Sequence, residues 1–220
     1  RILTEIHQAL SEGPFIVQEY CVEVISSLAD TLKNEQMAGY YDALMPLLKR
    51  MMDYAQANNQ EVLWGRTLEC CAMLGEASGK AKFLADATEM MNSLVAIQNQ
   101  IGEESDLRKY LMKAWVRIAR CLGVEFLPFL QVVMDNLITA INQDITKGTG
   151  DLDLDNLDDD RSDIEIIETD FGFVAARTSA VEEQLAACQL MVLIAEKLQQ
   201  NLQALAPQEP HWQEYLQAWS

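Results

Sequence analysis

The sequence predicts an all-α chain, a solenoid of stacked helical hairpins, and three observations lead there. Apolar residues recur at i, i+3, i+4 and i+7 along nearly the whole length. Period-two alternation of strand length is confined to a short piece near Ile164 to Ile167. Similar helix endings return at a nearly constant step, the mark of repeated units.

The stripes come in order. Val17, Cys21, Val24, Ile25 and Leu28 form the first, and Leu44, Leu47, Leu48 and Met51 the second. Trp64, Leu68, Cys71 and Ala72 form a third, and Leu107, Leu111, Trp115, Ile118 and Leu122 a fourth. Between them stand Gly13-Pro14, Asn58-Asn59, Gly79, Gly102, Gly123 and Pro207, residues that cap or break helices. The spacing predicts helices over about 2–11, 15–32, 36–56, 61–77, 81–99, 104–122, 125–143 and 177–205, with a last from about 210. Short linkers make sequential neighbours antiparallel. Trp115 and the pairs Met51-Met52 and Met90-Met91 fall where core and inter-repeat filler belongs.

A Met-x-x-Leu ending closes the helices that carry Met45, Met91 and Met134, at steps of 46 and 43 residues. Gly79 and Gly123 stand 44 apart. A two-helix unit at this period is the HEAT repeat, in which each hairpin buries its apolar face against the next. The expected layout is four to five hairpins, with an outer row of A helices and an inner row of B helices. The repeats cover about 1–34, 35–79, 80–123 and 124–205, with a partial unit from about 207. A generic helical bundle is the alternative, and it leaves the recurring endings to coincidence.

Composition narrows the function. With 16 basic and 34 acidic residues the net charge is −18, which argues against a binder of phosphate backbones and favours basic partners. The longest apolar run, Leu190 to Ala195, is far below the ~20 residues of a membrane helix. The chain starts at Arg1 in mid-pattern and reads as a piece of something longer. Its five cysteines (Cys21, Cys70, Cys71, Cys121, Cys188) lie in apolar helical stretches, which fits a reducing compartment. No Cys-x-x-Cys pair occurs and His7 and His211 lie at opposite ends, so no zinc site is expected. No phosphate-cradling loop or nucleophile with its base is recognisable, so no enzyme and no cofactor are expected.

One segment departs from the pattern. From Asp151 to Asp170 there are ten acids and one base, Arg161, half of the net charge in a tenth of the length. An EF-hand reading fails: its turn glycine would be Asn156 and its bidentate glutamate Ser162. A merely solvated run is one reading, and a flexible anionic strap for a basic surface is the other.

Tyr40-Tyr-Asp-Ala-Leu-Met-Pro-Leu-Leu-Lys49, Gly65-Arg-Thr-Leu-Glu-Cys70, Gly79-Lys-Ala-Lys-Phe83, Ala114-Trp-Val-Arg-Ile118 and Leu157-Asp-Asp-Asp160 occur in this order. Together they resemble the middle HEAT repeats of the importin-beta (karyopherin-beta) superfamily, in its importin five or karyopherin beta three branch. The likeness runs from about residue 12 to about residue 200. It departs where Arg161-Ser162 replace an aromatic expected after the three aspartates.

The resemblance implies a nuclear transport receptor that shuttles between cytoplasm and nucleus through the pore. Its partners would be basic cargo proteins, the GTP form of the GTPase Ran, and Phe-Gly nucleoporins, with no direct nucleic acid and no membrane insertion. The insertion at 145–172, within the fourth repeat, takes the place of the family's acidic loop, with Asp158, Asp159 and Asp160 as Ran contacts. Cargo candidates are acids on B helices beside the core stripe: Glu19, Glu23, Asp30 and Glu69, whose carboxylates suit Lys or Arg. Phe-Gly repeats would need apolar gaps between A helices, and the sequence singles out none. A HEAT scaffold of a phosphatase or chromatin complex is the competing reading.

Overall fold

The computed structural model describes residues 2–32, 34–98, 101–102, 105, 107–145, 164–169 and 172–198. The helices run α1 Ile2–Glu12, α2 Phe15–Thr31, α3 Asn34–Ala57, α4 Glu61–Ser78, α5 Lys80–Gln98, α6 Leu107–Leu122, α7 Leu127–Ile141 and α8 Thr178–Leu193. A 3-10 turn, Gly123–Phe126, joins α6 to α7, and α8 passes into a π turn at Ile194–Leu198. Helix was expected through 205 and again from 210. Those residues, like Asp158, Asp159 and Asp160, lie outside the described ones.

Neighbours pair as hairpins: α1 on α2, α3 on α4, α5 on α6 and α7 on α8. The even helices also pack in a row, α2 on α4, α4 on α6 and α6 on α8, whereas the odd helices stand further apart, with α1 on α3 and α3 linked to α5 by polar side chains. One row is crowded and the other splayed, which makes an α-solenoid with α2, α4, α6 and α8 inside. Polar links between hairpins span a near-constant stretch of chain. Tyr41 and Asp86 are 45 residues apart, Glu23 and Arg66 43, and Glu76 and Arg120 44.

Local chemistry places the turns. The Pro14 carbonyl accepts from the Val17 and Gln18 amides at 2.8 and 3.1 Å, opening α2. Gly79 sits at φ +88, and its amide donates to the Gly75 carbonyl at 3.0 Å. Its own carbonyl takes the Lys82 and Phe83 amides, so one left-handed residue ends α4 and starts α5. Gly123, at φ +63, breaks Leu107–Ile141 in the same way. That stretch is apolar enough to cross a membrane by composition, yet it is two solenoid helices. Asn59, at φ +54, makes the turn before α4.

α4 lies at the centre, with thirteen buried residues and almost no polar face. It is nearly apolar all round because it is covered by α2, α3, α5 and α6. A Cβ at Gly65 would stand 2.5 Å from the Tyr110 ring, and one at Gly75 2.4 Å from the Phe83 ring. Those two glycines let α6 and α5 approach. Trp115 is 1% exposed, lies edge-on to Phe126 at 5.9 Å and donates its indole N–H to Gln98 at 3.3 Å. It is packed between helices, as its place on the stripe requires.

Among the described residues, strand structure occurs at one place. After α7, an antiparallel ribbon of β1 (Ile164–Thr169) and β2 (Gly172–Arg177) leads into α8, with Ile164 opposite Arg177 and Thr169 opposite Gly172. The period-two piece at Ile164–Ile167 is its first strand. The second, Gly172-Phe-Val-Ala-Ala-Arg177, has neither a helical stripe nor clear alternation, and pairing with β1 decides its state.

Candidate functional site

The inner helices expose a trough made of three hollows in a row. The first, about 400 Å³, lies between α2 and α4 and is lined by Glu19, Tyr20, Glu23, Gln60, Glu61 and Arg66 among others. The second, about 510 Å³, continues from it along Glu23, Asp30, Arg66 and Glu69 to Lys109, Tyr110 and Lys113 of α6 and Glu182 of α8. The third, about 930 Å³, shares Asp30 and Met73 with the second and is bounded by Glu76, Arg117 and Arg120. The structure therefore brings Glu19, Glu23, Asp30 and Glu69 onto one connected surface. They reach it because each sits beside, not on, the stripe that its helix buries.

These acids are not alone. α6 carries Arg108, Lys109, Lys113, Arg117 and Arg120 and no acid, so the inner row of this acidic chain has a cationic member. Glu23 pairs with Arg66 at 2.9 Å. Arg117 reaches Asp30 at 3.6 Å and Glu76 at 3.0 Å, and Arg120 takes the other oxygen of Glu76 at 3.0 Å. Glu182 holds Lys113 at 2.8 Å and Lys109 at 3.9 Å. Among the described residues neither Glu19 nor Glu69 has an ion pair, which leaves those two carboxylates more available than Glu23 and Asp30. The Arg66 guanidinium is pushed up, first by its contact with Tyr110 and, against the cost of burial, by the charges of Glu23 and Glu19.

Sequence reasoning named the acids and missed their cations. Arg66 stood in a quoted motif without a role, although it lies one repeat period beyond Glu23. Opposite charges one period apart on inner helices are the signal that finds such pairs.

Below the trough, Arg108 donates from Nε to Glu183 at 2.8 Å, joining α6 to α8. Burial pushes the Glu183 carboxyl up, and the charges of Arg108 and Arg177 only partly offset it. Three thiols are held back by the same cause: burial pushes Cys70 up to about 12 and Cys121 to about 11, and Cys71 well above its ordinary value. Adjacent Cys70 and Cys71 are both core: Cys71 lies on the predicted stripe, and Cys70, off it, is buried with its thiol 3.5 Å from the Val22 carbonyl of α2.

The acidic insertion leaves and returns at one point. The Arg177 amide donates to the Ile145 carbonyl at 3.3 Å, and the Gln184 side chain of α8 donates to the carbonyls of Ile141 and Gln143 at 2.7 and 3.4 Å. The insertion therefore hangs between α7 and α8, while its three aspartates lie outside the described residues.

No family model matches the chain. The importin subunit beta-3 of Saccharomyces cerevisiae is 32% identical over 196 residues, 86% of this chain and 17% of that protein. Among solved structures, Kap121p bound to Pho4p matches with a TM-score of 0.65 and 30% identity, over 94% of this chain and 19% of that one. Kap121p bound to RanGTP matches with a TM-score of 0.62 and 28% identity, again over 94% and 19%. Kap121p bound to Nup53p matches with a TM-score of 0.63 and 28% identity, over 93% and 19%. The chain spans less than a fifth of the length of these relatives. In sequence and in fold the chain follows these relatives over most of its length, and it belongs to the importin-beta superfamily.

Proposed function

We propose that this chain is a segment of a nuclear transport receptor, and that its inner trough binds basic localisation signals of cargo. The observation that carries this reading is the convergence of Glu19, Glu23, Asp30 and Glu69 along connected hollows on one face. An extended peptide fits such a trough, and lysine or arginine heads meet carboxylates through charge-assisted hydrogen bonds. The net charge of −18 draws basic segments in and makes the attraction fall as salt rises.

Ran in its GTP form releases the cargo, and the insertion supplies the contact through Asp158, Asp159 and Asp160. Support comes from its position between α7 and α8 and from its charge, nine more acids than bases over residues 151–170. Phe-Gly nucleoporins take the outer side. A hollow of about 150 Å³ between α3 and α5 has Trp64 and Leu68 of α4, Met52, Met90, Leu94 and Ile97 as its apolar part, with Lys49, Asp53, Gln56, Glu89 and Ser93 completing the lining, and that apolar part is what such a contact needs. The role is carriage between cytoplasm and nucleus, without catalysis.

The test is a salt titration of a fluorescent lysine-rich peptide on the chain and its full-length parent, with a charge-neutral peptide in parallel. Affinity for the basic peptide falls steeply with salt, and GTP-loaded but not GDP-loaded Ran displaces it from the parent. Equal affinity for both peptides removes the electrostatic reading. A stoichiometric complex indifferent to Ran-GTP points to a scaffold instead.

A further inference from the structure

The first two hollows of the trough meet at Val22, Glu23 and Arg66, which line both. The ion pair of Glu23 on α2 with Arg66 on α4, at 2.9 Å, stands as a bar between them. The bar is lightly held. The pair itself is a single contact from Nη1 to Oε1 between side chains 52% and 53% exposed, with Tyr110 as the other neighbour of the guanidinium. Exposed pairs of this kind contribute little and weaken further with salt. The other arginines of the trough are fixed more firmly, since Arg117 and Arg120 grip opposite oxygens of Glu76, which is 22% exposed.

We propose that Arg66 is an internal competitor for cargo, holding on Glu23 the place that an incoming lysine or arginine takes. The inference rests on the trough being the cargo site. Exchange of one cation for another leaves the Glu23 carboxylate paired throughout, so cargo pays no penalty for an exposed, unpaired acid. It also removes the bar and joins two hollows of about 400 and 510 Å³ into one path for an extended chain. The displaced guanidinium has somewhere to go: Glu69 lies three residues on along α4, lines the same second hollow and has no ion pair among the described residues. The partner is a segment that delivers one cation to Glu23 while its neighbours occupy both hollows. Arg66 sets the threshold of affinity below which basic segments are refused.

The experiment measures the lysine-rich peptide by fluorescence anisotropy on the full chain. Arg66→Met keeps an aliphatic side chain of similar reach and removes the charge. Binding tightens roughly two- to fivefold, the range set by the strength of an exposed pair. Arg66→Lys leaves affinity near that of the unsubstituted chain, and adding Glu23→Gln to Arg66→Met abolishes the gain. Arg120→Met is the control for bulk charge, because it removes one positive charge from the same face without touching the bar, and it produces a smaller gain. Unchanged or weaker binding by Arg66→Met, with its helical circular dichroism intact, overturns the inference and leaves the cargo reading standing. An equal gain from Arg120→Met overturns it as well. Equal binding of neutral and basic peptides by the unsubstituted chain overturns both.

Discussion

Replacing Arg108 with alanine strands a carboxylate inside the joint between α6 and α8. Glu183 has a side chain only 4% exposed, and Arg108, itself 15% exposed, is its hydrogen-bonded partner at 2.8 Å. Losing one member of a buried pair costs about 3–5 kcal/mol, because the other charge stays without water or partner. Burial already pushes the Glu183 carboxyl up, and without Arg108 it rises further. The folded state then binds a proton that the unfolded state has released, between the ordinary glutamate value and the raised one. Stability therefore falls as pH rises through that window. In Arg108→Ala the deficit is smaller near pH 5, where protonation of Glu183 relieves it, and larger near pH 8. Urea denaturation followed by helical circular dichroism at both pH values reads it. Adding Glu183→Gln should remove most of the pH dependence. A deficit below about 1 kcal/mol, or the same deficit at both pH values, refutes the claim that this pair is buried and coupled.

Three further outcomes are expected. Gly75→Ala drives a methyl into the Phe83 ring 2.4 Å away and should cost about 1–3 kcal/mol, seen as a lower urea midpoint. Asp86 accepts from Lys49 at 2.6 Å and from Tyr41; burial would raise its carboxyl, and those hydrogen bonds overcome that and lower it. Its contribution is thus present above its ordinary value and lost as pH falls through the lowered one, so Asp86→Asn should flatten the acid limb of the stability profile. Iodoacetamide at pH 8 should label the exposed Cys188 quickly and leave buried Cys70 and Cys71 unlabelled until urea is added, as peptide mass spectrometry would show.

Much of this architecture is written in short-range chemistry. Stripes such as Leu111, Trp115, Ile118 and Leu122 report which face is covered, and Gly79 and Gly123 report where the chain must turn left-handed. Such features depend on neighbours within one or two turns, so a linear reading finds them. The cations of the trough depend on which helix lies beside which. Arg66 meets Glu23 only because α4 crosses α2, and Arg117 and Arg120 converge on Glu76 only because α6 crosses α4. Their periodic spacing made them findable, but a charge is unremarkable until its partner is in place. The ribbon was half legible for a related reason, since Ala175 and Ala176 carry weak preference and take their state from Ile166 and Glu165 opposite.

The stitch between the Ile145 carbonyl and the Arg177 amide has an evolutionary consequence. Because the excursion begins and ends at adjoining positions, its contour length is uncoupled from the pitch of the superhelix. Lengthening such a closed detour adds only a logarithmic entropy cost, about 0.6 kcal/mol per doubling. The segment can therefore diversify, shorten or acquire new charge patterns as an interchangeable cassette, without the flanking helices having to re-register.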